Sequence, residues 1–258
     1  MEMNSCYLGP EISPEQFIPE HLFLFLVKGT MNGYDGNVHY TLNAGEYCLV
    51  RKNRLARYNK VKGSNGFEKV AILFDEKFLK SYQNKHLTHS QDLDTKETFL
   101  ILHPTEQIPN FINLLKPYYK GEGKIDPTMV DIKREELLSI LLQSQPELAN
   151  VFFEYGNPYK INLEEFMNRN YQFNVSLERF AYLTGRSLSA FKRDFKTIFN
   201  ETPSRWLTKK RLKEAYFLME KKNKKPSEIY LDLGFEDLSH FSYAFKKKFG
   251  LAPTELDN

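Results

Sequence analysis

Between residues 22 and 74 the apolar positions come in short runs rich in aromatic and β-branched residues: "LFLFLVKG", "VHYTLNAGEYCLV" and "FEKVAILF". Turn-forming stretches such as "MNGYDGN" and "KGSNG" separate them, and this punctuation predicts strands. Several short strands with glycine-rich turns build a small barrel or sandwich. From about residue 75 the pattern turns irregular and then helical. "TEQIPNFINLLKPYY" and "DPTMVDIKREELLSILLQSQPELANVFF" carry apolar residues at helical spacing, with Asp126-Pro127 as a start signal. "EYGNPYK" (154–160) breaks the periodicity with Gly156 and Pro158. The expected organisation is therefore a β domain over 1–105, a helical linker over 106–155 and a second domain over 156–258, an α+β chain of two domains.

The last segment reads as helix throughout. In "SLERFAYLTG" Ser176 is an N-cap and Gly185 a stop; "SLSAFKRDFKTIFN" is capped by Ser187; "PSRWLTKKRLKEAYFLMEK" opens with Pro203 in its first turn. The segment also repeats itself. Phe191, Phe195, Phe199, Asn200 and Pro203 recur fifty residues on as Phe241, Phe245, Phe249, Gly250 and Pro253, and Gly185 pairs with Gly234. Each copy is a short helix, a tight glycine turn and a second helix, the form of a helix-turn-helix. Helical geometry puts Leu188, Phe191 and Phe195 on an inward face and Ser189, Lys192, Arg193 and Lys196 on the opposite one. The same offset buries Leu238, Phe241 and Phe245 and exposes Ser239, Ser242, Tyr243 and Lys246, flanked by His240.

Charge changes the picture because it is unevenly spread. The 258 residues carry a formal charge of +3, but from Gly156 onward 19 Lys and Arg stand against 13 Asp and Glu, while the preceding part has 17 against 20. A basic segment behind a mildly acidic one points to a polyanionic partner for the C-terminal part. A recognition helix needs donors for base edges and cations for phosphate. Arg193 fits the first task, since a guanidinium can bond both O6 and N7 of guanine. Lys192 reaches base or phosphate; Lys196, Lys246, Lys247 and Lys248 lie later on their helices and suit the backbone. Composition adds little else. The chain is 41% hydrophobic and 27% charged, as in ordinary globular proteins. It shows no long apolar span, its first residues are not expected to form a signal peptide, and its two cysteines, Cys6 and Cys48, are far apart. These features lead us to expect a cytoplasmic protein with free thiols.

The motifs "GRSLSAFKRDFK", "RLKEAYFLM", "YLDLGFEDLSHFSYAFKKKFG" and "APTEL", spread over about residues 160–256, resemble the AraC/XylS-type bacterial transcription regulators. The resemblance implies two helix-turn-helix units joined by a long helix, with recognition helices entering successive major grooves. It assigns base contacts to Ser189, Lys192, Arg193, Ser239, His240 and Tyr243, and activation rather than repression. It leaves Ser242, Lys196, Lys246, Lys247 and Lys248 as backbone contacts. At the Tyr243 position the family often has arginine.

The N-terminal half resembles, less specifically, the cupin-like sensor domain of such regulators, through "LNAGEYCLVRKNRLARY". A metal cupin needs a His-x-His-x-Glu set, and this stretch has only His39, so no metal or other cofactor is expected. His86 and His89 in "HLTH" are a conceivable ligand pair but read better as exposed residues. "RKNRLARYNK" (51–60) reads as a solvated hairpin, with an anion pocket or a contact with a protein partner as the other options. Leu137, Leu138, Leu141 and Leu142, with Ile140 beside them, form a stripe that suits either dimerisation or burial within its own domain. Taken together, the expectation is a non-enzymatic DNA-binding regulator, a degenerate cupin-like β-barrel followed by helices and then an all-α domain. Its candidate partners are double-stranded DNA, RNA polymerase, a small-molecule or protein effector, and a second copy of the chain. The competing class is a cupin-fold enzyme with an appended DNA-binding domain.

Overall fold

The computed structural model describes residues 6–8, 16–61, 63, 66–86, 97–118 and 127–256. The chain divides into two compact units, Met1–Gly156 and Asn157–Asn258.

The first unit holds β1 (Cys6–Leu8), β2 (Phe17–Ile18), β3 (His21–Lys28), β4 (Thr30–Tyr34), β5 (His39–Asn43), β6 (Tyr47–Val50), β7 (Arg54–Leu55), β8 (Arg57–Val61), β9 (Glu68–Phe74), α1 (Glu76–His86), β10 (Phe99–Ile101), α2 (Gln107–Leu115), α3 (Pro127–Ser144) and α4 (Ala149–Phe152). One sheet runs β1-β9-β3-β6-β10, another β5-β4-β8, and β2 pairs with β7. The continuous apolar run of β3 is explained by what covers its two faces. Leu22, Leu24 and Leu26 point into a core shared with Met31 of β4 and Leu42 of β5, whereas Phe23 and Phe25 point into a second core built with the helices. Strands β6 and β9 divide in the same way, Cys48 and Ala71 to one side, Leu49 and Ile72 to the other. A strand buried on both faces loses the polar alternation of a half-exposed one.

The described residues of 106–155, a stretch expected as a linker, join this unit. Phe111 and Ile112 of α2, Leu137, Leu138 and Leu141 of α3, and Val151 and Phe152 of α4 all join the helix-side core. The leucine stripe is thereby corrected as a dimerisation face: Leu137, Leu138 and Leu141 are 0%, 0% and 1% exposed, and Leu142 packs half-buried on the same cluster. Leu137, Leu138 and Leu141, enclosed by their own unit, have no surface left to offer a second subunit. The solvated-hairpin expectation for 51–60 is also corrected at its start. Arg51 and Lys52 are buried; the Arg51 guanidinium donates to Glu154 Oε2 at 2.9 Å, and Lys52 lies over the Tyr155 ring. Cys48 is buried with its thiol pushed up to about 12 by desolvation.

The second unit is helical: α5 (Leu163–Asn170), α6 (Leu177–Leu183), α7 (Leu188–Phe199), α8 (Pro203–Lys222), α9 (Pro226–Ile229) and α10 (Leu238–Phe249). The predicted caps form. Ser176 Oγ accepts from the Arg179 amide and Ser187 Oγ from the Ala190 amide, each satisfying a first-turn donor. Asn200 and Gly250 both end their helices in the left-handed region, as the repeat requires. The two turn glycines are equivalent in a further sense. Gly185 has φ +65° and Gly234 φ +81°, and a side chain on either would strike backbone: Tyr159 and Lys160 in one case, the Gln172 carbonyl in the other. The long α8 is what both copies share. Near its start Trp206 meets Phe195 and Phe199 of α7, and further along Tyr216 meets Phe245 and Phe249 of α10.

Candidate nucleic-acid interface

In α7 the period of the helix separates two chemistries. Phe191 and Phe195 are fully buried, with Phe195 4.3 Å from Phe199 and 5.6 Å from Trp206, centroid to centroid. Ser189, Lys192, Arg193 and Lys196 are all exposed. The α6–α7 turn is fixed from below by Thr184, whose buried hydroxyl donates to the Phe180 and Ala181 carbonyls. Arg186 then ties three segments together: Nη1 donates to the Thr184 and Ile161 carbonyls at 2.6 and 3.1 Å, and Nε to Asp194 Oδ2 at 3.1 Å. Asp194 in turn accepts at Oδ1 from Nε and Nη2 of Arg193, at 3.3 and 3.1 Å. The bonds from Arg186 and then Arg193 hold its carboxyl below the usual aspartate range.

The second copy repeats the plan with other side chains. Phe241 and Phe245 are fully buried. Ser239, His240, Tyr243, Lys246 and Lys247 are exposed and Ser242 is half-buried; Tyr243 is 68% exposed, the largest open aromatic surface on α10. Asp237 caps α10 by accepting from the His240 amide at 2.7 Å, and the His240 ring stands edge-on to Phe235. Two polar faces, each backed by a pair of buried phenylalanines and each following a glycine turn, are thus presented by one helical unit.

The family described as the ExsA N-terminal regulatory domain matches residues 21–151, half of the chain, and a helix-turn-helix domain family matches residues 180–258. The chain belongs to the AraC family. It is a DNA-binding transcription regulator. Relatives within this family include the transcriptional regulator ExsA of Pseudomonas aeruginosa, 27% identical over 98% of this chain and 91% of its own length. The virulence regulon transcriptional activator VirF of Yersinia enterocolitica is 29% identical over 89% and 86%. Among solved structures, an apo form of ToxT from Vibrio cholerae matches with 16% identity and a TM-score of 0.44, covering 93% of this chain and 89% of that one.

In this AraC-family chain Lys248, Leu238 and Leu188 depart from the expected pattern. Lys248, expected on phosphate, is half-buried and its Nζ donates to the Lys209 carbonyl of α8 at 2.8 Å; burial and the neighbouring Lys213 and Lys209 lower its pKa. It holds α10 to α8. Leu238, expected inside, is 39% exposed, and Leu188 is half-buried. Each is the first residue of its helix, and the helix preceding Leu238 is a single turn, so less of the unit reaches over it. Sequence reasoning missed Arg186 and Asp194. Neither residue type nor spacing signals them, because the partners of Arg186 are mostly backbone carbonyls.

In the first unit the histidines have other company. His39 stacks on Tyr34 at 4.6 Å; His86 lies 3.1 Å from Glu135 and stacks on Tyr82; His89 lies outside the described residues. Among the described residues no group of three or more His, Cys, Asp or Glu side chains is placed to hold a metal, and no helix is long and apolar enough to cross a membrane.

Proposed function

We propose that the chain is a cytoplasmic, sequence-specific transcription activator, without enzymatic activity, whose α7 and α10 enter successive major grooves. Ser189, Lys192 and Arg193 read bases from the first helix, and Ser239, His240 and Tyr243 from the second. Lys196, Lys246 and Lys247 hold phosphate, with Ser242 at the edge of the contact; Lys248 is left out because it lies half-buried against α8, with its Nζ on the Lys209 carbonyl. The observation that carries this reading is the pair of exposed polar faces set opposite fully buried phenylalanines. With guanine contacted through Arg193, Arg193→Ala is expected to cost about 1–3 kcal/mol on the operator and to relax preference at one base pair. Lys246→Ala is expected to weaken all sequences alike and to reduce the salt slope by about one. Competition binding on a randomised DNA library reads both; an unchanged base preference for Arg193→Ala would mean that the face is wrongly assigned.

Control of this activity belongs to the first unit, through a small-molecule or a protein effector, and the space beside Phe99 is not where a small molecule would sit. The Phe99 ring lies over Gly33 and is tilted against Tyr40, with ring centroids 4.5 Å apart. The cavity these residues line between the sheets measures about 10 Å³, room for about one water where a ligand site needs roughly 300 Å³ or more. Contact with RNA polymerase belongs to the same proposal, because an activator must act on the transcribing enzyme.

A further inference from the structure

A carboxylate flanking a helix face meant for DNA is a liability. It repels phosphate, and it competes with bases for nearby cations. Asp194 stands beside the residue assigned to read guanine, so its placement needs a reason. Its bonds supply one. Oδ2 is fixed by Arg186, whose side chain is 7% exposed and is itself held by the Thr184 and Ile161 carbonyls. Lys160 Nζ adds a third cation at 3.9 Å. The carboxylate is therefore a rigid part of the turn, and Oδ1 is the atom it offers to Arg193.

Arg193, with its side chain 75% exposed, has five N–H donors. Oδ1 takes the edge formed by Nε and Nη2. The end formed by Nη1 and Nη2 is left over from that bond pair, and it also matches O6 and N7 of guanine. An arginine without such a support is free to swing to the nearest phosphate, which rewards any sequence equally. We propose that Asp194 is a positioning residue for Arg193, anchored by Arg186, that directs the Nη1–Nη2 end of the guanidinium at the base pair and withholds it from phosphate. This rests on the reading of Arg193 as a base contact.

The test uses the full chain and the randomised library, with Asp194→Asn as the variant. Asparagine keeps the shape and one acceptor oxygen for Arg186 but loses the charge that holds Arg193. The preference at the Arg193 base pair should fall by about three- to fivefold, the range of an exposed but well-oriented ion pair. Affinity for non-specific DNA should rise and its salt slope steepen by about one, because one more cation becomes available to phosphate. In an Arg193→Ala background Asp194→Asn should change no base preference. Preference is a ratio of affinities of the same folded protein, so partial unfolding, followed by thermal melts, leaves it intact. If Arg193→Ala relaxes the base pair and Asp194→Asn does not, Asp194 serves only the Arg186 turn and the proposal is overturned. A change in preference that persists without Arg193 overturns it equally. If Arg193→Ala itself has no effect on preference, the underlying reading fails first, and the two failures are told apart by that single variant.

Discussion

Phe195→Ala and Phe245→Ala are each expected to destabilise the C-terminal unit by about 3–5 kcal/mol, the usual cost of truncating a buried phenylalanine. Both rings are 0% exposed. Phe195 lies 5.7 Å from Phe191, 4.3 Å from Phe199 and 5.6 Å from Trp206. Phe245 has the corresponding neighbours in Phe241, Phe249 and Tyr216, at 5.8, 4.6 and 6.3 Å. With a total stability of about 5–15 kcal/mol for a typical domain, either change removes a large share. The melting temperature should drop by about 4–8 °C for each kcal/mol lost in a unit of this size. Loss of DNA binding would then follow from unfolding, and it should be regained on cooling below the new transition. Thermal melts beside binding curves decide the matter. A melting temperature that stays put while affinity is lost would place these aromatics against the nucleic acid.

The same rings show what the amino-acid sequence made legible. A fifty-residue repeat of phenylalanines at helical spacing identifies α7 and α10 and the phenylalanines they bury, because an i, i+4 pair lies on one face of a helix. Caps are equally readable: Ser176, Ser187 and the left-handed Asn200 and Gly250 act over a few residues, so local spacing suffices. What periodicity could not show is the identity of the covering surface. The Leu137–Leu141 row is equally apolar whether a second subunit or its own sheet lies over it, and here Phe23, Phe25 and Ile72 share its core. Charged residues mislead for a related reason. Arg51 and Lys52 sit in a basic run that looks solvated, yet the partner of Arg51, Glu154, is a hundred residues away in sequence. Local pattern carries no trace of such pairs.

Arg211 is the extreme case, and its removal carries the second large effect. In "TKKRLKEA" it is one of several lysines and arginines on a helix that reads as wet. In the fold its Nε donates to the Tyr171 carbonyl at 2.7 Å, Nη2 to Phe173 at 2.8 Å and Nη1 to Gly234 at 2.8 Å. Desolvation lowers its pKa to about 10, which leaves it charged at neutral pH. Burying that charge without a carboxylate is unfavourable, and three charge-assisted bonds to carbonyls offset it. Arg211→Ala is therefore expected to cost about 3 kcal/mol net, since three enclosed carbonyls lose their donor together. Tyr171 and Phe173 lie between α5 and α6, whereas Gly234 is the turn of the second helix-turn-helix, so one guanidinium on α8 fixes the two reading units to each other. Its loss should lower affinity more for DNA carrying both contact sites than for DNA carrying one, because two units set loosely no longer fit both grooves at once. Arg211→Met separates the causes by filling the space without donating. If that variant keeps both the melting temperature and the two-site advantage, the three bonds do no more than offset their own desolvation, and the coupling of the units must lie in the packing of α8 on α7 and α10.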